Sequence, residues 1–167
     1  MSDMTNDVMS LLVRELEGFK RELALFPDDE SVWRTVPGVT NSAANLALHV
    51  AGGLQYLVGA VLGGSGYVRD RDAEFNRRSG TRAEIGLELD RALAVVRNVV
   101  PRLSAAVLDG DYPEPVLGVN FRTGIFLLHL CAHAAFHLGQ AGYLRRIVTG
   151  DARSSGPVPL SELRTEN

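Results

Sequence analysis

Cysteine is almost absent from this chain: Cys131 stands alone, so no intramolecular disulfide can staple the fold and stability must come from a packed core. Lysine is equally scarce. Lys20 is the only one, every other basic residue being arginine, and the acids outnumber the bases to give a formal net charge of -3. A chain with that balance and a pI near 5.8 presents no general basic field, which argues against nucleic acid as a partner. Residues 1–6 lack the charged and apolar regions of a secretory leader, so the cytoplasm is the expected compartment. The apolar stretch 46–64 is about long enough to span a bilayer at roughly 20 residues. It carries His49, Gln55 and several glycines, whose polar groups would be unsatisfied in lipid, and no membrane partner is expected.

What is present suits one folded domain. The 167 residues are 46% hydrophobic and 22% charged, with no interior linker and no repeat. Apolar residues at Met4, Val8, Leu11, Leu12, Leu16, Phe19, Leu23 and Phe26 recur at three- and four-residue steps and stop at Pro27, the pattern of an amphipathic helix. Residues 27–40 read as a loop. Asn41 or Ser42 can cap a second helix from about Ala43 to Leu62, apolar nearly all round and ended by Gly63, Gly64 and Gly66. Residues 69–78, rich in Arg and Asp, read as a polar connection with solvated charges. Thr81 and Glu84 then form a capping box for a third helix reaching about Val99, with a bend expected at Pro101. After a loop over 109–120, Thr123 to Val148 forms a fourth helix ended by Gly150. Four long helices without strand alternation predict an all-α four-helix bundle over residues 1–150. The tail, 151–167, is expected to extend over the surface or be partly disordered, with Leu160 and Leu163 available for docking.

All four histidines fall on the two most apolar helices: His49 on the second, and His129, His133 and His137 on the fourth. An imidazole buried without a partner costs roughly 1–3 kcal/mol, so four together call for something that satisfies them. Residues four apart share a helix face, and either His129 with His133 or His133 with His137 can converge on one ion. Residues eight apart lie about 12 Å apart along the axis, so one of the three must stand outside. His49 is the one histidine left to complete the set. Three histidines with open positions describe a catalytic or binding centre rather than a closed structural one. Cys131 points away from His133 by roughly 160° at 100° per residue, toward the core. No Asp or Glu neighbours the histidines on their own helices, and a general base could come only from Glu74 or Asp72 folding over from the polar connection.

The run His129-Leu-Cys-Ala-His133-Ala-Ala-Phe-His137-Leu-Gly-Gln140 resembles the last-helix motif of the DinB superfamily. Asn45-Leu-Ala-Leu-His49-Val-Ala-Gly52-Gly53 resembles its first ligand segment, and Arg69-Asp-Arg-Asp-Ala-Glu-Phe75 an inter-helix segment of one branch. Gly53 departs from that branch, where a polar residue often stands. The resemblance implies a four-helix bundle, often a homodimer, with a divalent metal held by His49, His133 and His137. It leaves His129 and Gln140 as residues around the site or in its pocket. Zinc or nickel is the expected metal, with iron, manganese and copper also compatible with imidazole.

Characterised relatives include metal-dependent transferases and isomerases that use low-molecular-weight thiols. The resemblance therefore implies an enzyme with a thiol cosubstrate and a small-molecule substrate. The alternatives are a non-catalytic, metal-stabilised small-molecule-binding or stress-response protein, and a metal-dependent hydrolase. Because ligating imidazoles must be neutral, the metal is expected to leave as the pH falls below about 6.

Overall fold

The computed structural model describes residues 3–163, and among them helix is the only extended regular structure. Four long helices, α1 (Asp3–Ala24), α2 (Ala43–Leu54), α4 (Arg82–Val99) and α6 (Thr123–Thr149), form the bundle, with short helices α3 (Arg71–Asn76) and α5 (Ala105–Asp109) in the connections. Helices α1 and α2 each pack against both α4 and α6 and lie diagonally across the bundle from one another. No helix among the described residues is long and apolar enough to cross a membrane.

The periodicity of α1 is realised as a buried stripe. Val8, Leu12, Leu16, Phe19 and Leu23 are all buried, each contributing about 1.5–3 kcal/mol by leaving water. Every residue of α2 is buried, and its Ala and Gly positions let neighbouring helices approach closely. Caps fix the helix ends. Ser42 and Asn45 satisfy each other's backbone N–H groups at the start of α2, as Thr81 and Glu84 do for α4. Gly150, at φ 68°, closes α6 in a left-handed conformation that suits glycine.

Two connections differ from expectation. The second helix does not run as α-helix to Leu62: from Gln55 to Ala60 it widens into a π-helical turn, with Val61 N–H donating to Tyr56 O at 3.0 Å. Glycines weaken ordinary helical geometry here, and Gly63 faces α4 so closely that a Cβ would lie 2.6 Å from Val99 Cγ2. The Arg- and Asp-rich stretch contains α3 rather than an open connection. Asp70 caps it by accepting from Ala73 N–H at 2.9 Å, and Asn45 of α2 ties it down by donating to Glu74 O at 2.8 Å and Arg77 O at 3.0 Å.

Past α6 the chain turns back over α1. Arg145, wholly buried, pairs with buried Glu22 and donates to the carbonyls of Asp151, at 2.9 Å, and Arg153. Gly18 of α1 lets the segment sit close, since a Cβ there would lie 2.7 Å from Pro157 O. Leu160 is exposed, whereas Leu163 is half-buried. Residues 164–167 of the expected tail lie outside the described residues.

Candidate metal centre

The bundle places α2 beside α6, and three imidazoles meet between them. His49 Nε2 lies 3.1 Å from His133 Nε2, which lies 3.1 Å from His137 Nε2. The ligand atoms of the three residues are all within 4.8 Å of one another. Nitrogens bound tetrahedrally at ~2.0–2.1 Å would stand about 3.3–3.4 Å apart, so the donor set fits a small divalent ion with little adjustment.

Hydrogen bonding on the outer side of the rings strengthens that fit. Gln140 Oε1 accepts from His137 Nδ1 at 2.7 Å, which leaves a lone pair on His137 Nε2. On His49, Nδ1 lies 3.0 Å from Glu74 Oε2 and 3.1 Å from Arg69 Nη2. Arg69 Nη2 also donates to Glu74 Oε2 at 2.8 Å and to His49 O at 3.4 Å. Its two hydrogens are thereby used, and His49 Nδ1–H donates to the carboxylate. His49 Nε2 then also carries a lone pair toward His133. A single N–H on His133 Nε2 can satisfy only one of these two facing acceptors. A cation among the three nitrogens satisfies all of them, and ligating histidines ordinarily have their outer nitrogen held in this way.

The electrostatics agree. Burial would raise the Glu74 carboxyl, but the hydrogen bonds from His49 and Arg69 outweigh it and hold the group below the usual carboxylate range. Burial, reinforced by neighbouring imidazoles and Arg69, pushes His133 down to about 3, and burial also lowers His137. In the folded chain these two imidazoles are neutral near pH 7, the form a metal requires.

The family model of the DinB superfamily matches residues 11–141. The chain belongs to the DinB superfamily. That match covers most of the bundle and includes all three clustered histidines. No match is found among curated proteins.

Within this DinB-superfamily bundle the other candidate residues separate clearly. His129 is exposed and outside the cluster. Its ring is 6.1 Å from that of His133 and stacks at 6.0 Å on Phe126, where it lines a cavity of about 260 Å³ next to His49 and His133. The expectation that every histidine is buried holds for His49 alone: His133 and His137 are half-buried and His129 is exposed. Gln140 is exposed and holds His137. Cys131 is buried against α1, with Sγ 3.9 Å from Val8 O, and burial pushes its thiol up to about 12, so it is a core residue. Asp72 is exposed.

Glu74 is the principal correction. Its segment reads as solvated charge, yet it is buried against His49. Two signals bear on it: the Asp70 cap three residues before Ala73, and Gly52, where a Cβ would lie 2.2 Å from Glu74 Oε1. Gly52 leaves the volume that the carboxylate fills.

Proposed function

We propose that the protein binds one divalent metal ion through the Nε2 atoms of His49, His133 and His137 and uses the site in thiol-dependent transfer or isomerisation of a small molecule. The observation that carries this reading is the convergence of three imidazole nitrogens with two outer nitrogens tied to Glu74 and Gln140. A bound ion with three histidines and open positions supplies Lewis acidity, lowering the pKa of a thiol or water that reaches it. Zinc and nickel suit the imidazole set best, with iron, manganese and copper as the other candidates.

Hydrolysis needs a general base near the attacking water. Glu74 is a poor choice, because it lies on the outer side of His49 and is held by Arg69. None of the residues lining the adjacent cavity is a carboxylate. Both facts favour a substrate that brings its own nucleophile, such as a thiol. The non-catalytic reading, in which the ion organises a small-molecule pocket, shares the site and differs in turnover.

The test is elemental analysis of untagged protein, wild type against His49→Ala and His133→Ala, followed by assays for thiol-dependent transfer. Near-stoichiometric metal that disappears in both variants is expected. Wild-type protein that is folded and cannot be loaded would sink the reading, and loading without thiol-dependent turnover would favour the non-catalytic one.

A homodimer is part of the same proposal. Ile125, Phe136, Tyr143 and Ile147 stand exposed along one side of α6, and residues 123–144 contain no Asp, Glu, Lys or Arg. An uncharged apolar helix face suits a two-fold contact with a second copy. A monomer at every concentration in a sizing experiment would remove this part.

A further inference from the structure

The cavity beside His49 and His133 has a charge pattern that the histidine cluster does not explain. In a chain with an excess of acids, it is lined by Arg69 and Arg71 and by no carboxylate. Arg69 is committed to Glu74. Arg71 is not. Its guanidinium sits 5.1 Å from the centre of the Phe75 ring, and no carboxylate pairs with it among the described residues. Between the arginines and the histidines the walls are apolar, formed by Leu54, Leu57, Val116, Phe126 and Leu130.

Leu117 completes this wall from an unexpected backbone state. Val116 and Val119 exchange hydrogen bonds at 2.9 and 3.0 Å, making Leu117 and Gly118 the two central residues of a tight hairpin turn. Both have positive φ, 52° and 79°, the geometry that favours Asn-Gly. A leucine there meets the steric penalty of the left-handed region and is also 94% exposed. The core gains nothing from it, yet it stands among the residues that line the cavity. Unfavourable conformations retained at a cavity mouth point to a ligand contact.

We propose that the cavity binds a small ligand with an apolar body and one anionic group, the anion on Arg71 and the body under Leu117. The inference rests on the metal reading in one respect: it takes the imidazole end as the end that receives the reacting group. Arg71 and Leu117 are then the residues that select the ligand, one by charge and the other by apolar cover.

The test is calorimetric titration of the full chain, stripped of metal, with 4-phenylbutanoate and its neutral isostere 4-phenylbutanamide. The carboxylate should bind about tenfold more tightly than the amide, as expected for one partly exposed charge-assisted contact. Arg71→Gln should abolish the difference, and its exposed position leaves the fold intact. Leu117→Asn should weaken both ligands while raising the thermal midpoint by roughly 2–4 °C, because asparagine tolerates the left-handed turn. That opposition between affinity and stability is not expected of a residue with a purely structural role. Equal affinity for the two ligands, no binding of the carboxylate, or unchanged affinity in Leu117→Asn would overturn the proposal. Arg71-dependent binding in a protein that takes up no metal would support it while removing only the metal reading.

Discussion

Glu22 and Glu74 are both carboxylates buried against arginine, and their surroundings give them different work. Glu22 and Arg145 are 1% and 0% exposed, and the remaining guanidinium hydrogens reach the carbonyls of Asp151 and Arg153. Every partner is structural, so the pair fastens the segment after α6 onto α1. Glu74 and Arg69 form a similar pair, but Glu74 also accepts from His49 Nδ1, and the far side of that ring faces the other two histidines. A buried ion pair that ends on backbone holds the fold, whereas one that ends on an imidazole sets the direction of a lone pair.

The comparison breaks most visibly at Arg145. Arg145→Leu strands a buried carboxylate, a loss of roughly 3–5 kcal/mol, which for a chain of this size lowers the thermal midpoint by roughly 6–20 °C. Removing the charge as well, in Glu22→Leu/Arg145→Leu, should recover most of that loss. The folded fraction of either variant should take up metal as wild type does. Thermal melts paired with elemental analysis read both quantities, and impaired loading at unchanged stability would mean the two pairs are not separate in function.

At Glu74 the balance reverses. Glu74→Gln keeps the shape but removes the charge that orients His49, and a loss of about 10–100-fold in metal affinity is expected, with a smaller change in stability than at Arg145. Gly52→Ala should mimic it from the opposite side, since its methyl group would occupy the position of the carboxylate. Competition against a chelating dye measures both variants. Wild-type affinity in Gly52→Ala would show that Glu74 does not tune the site.

These regions also differ in how much of them could be read in the sequence. Helix α1, the caps at Ser42 and Thr81, and the stop at Gly150 rest on contacts within a few residues, and local spacing reveals them. The four-residue step of His133 and His137 on an apolar helix was legible for the same reason. Spacing alone could not choose between that pair and His129 with His133; the choice came from resemblance, and the structure brings His133 and His137 together with His49. Glu74 was hidden because its burial depends on Gly52 and Asn45, far away in the chain, and because the six residues of α3 are too few to show a periodic pattern. The Arg145 pair was hidden likewise, its partner lying on α1. The π-helical turn left no signal, because an apolar, glycine-containing run fits either helical geometry.

The smallest expected effect concerns acid, and it sharpens the contrast between the site and the structural pair. Unfolded imidazoles titrate near 6.5, whereas burial and neighbouring imidazoles push His133 down to about 3 and burial lowers His137. Between those values the unfolded chain holds protons that the folded chain does not. Stability of the metal-free protein must therefore fall as the pH drops through that window, and His133 adds nothing further below about 3. The same displacement means that protons compete poorly for the folded site, so metal should persist below the pH of about 6 expected from ordinary imidazoles. Glu74, held below the usual carboxylate range, keeps its charge toward His49 through the upper part of that window. Metal content and helicity followed together from pH 7 downward should then be lost together. Metal released near pH 6 from a bundle whose helicity is intact would show that these histidines titrate as free imidazoles, contrary to the lowering that their partial burial predicts.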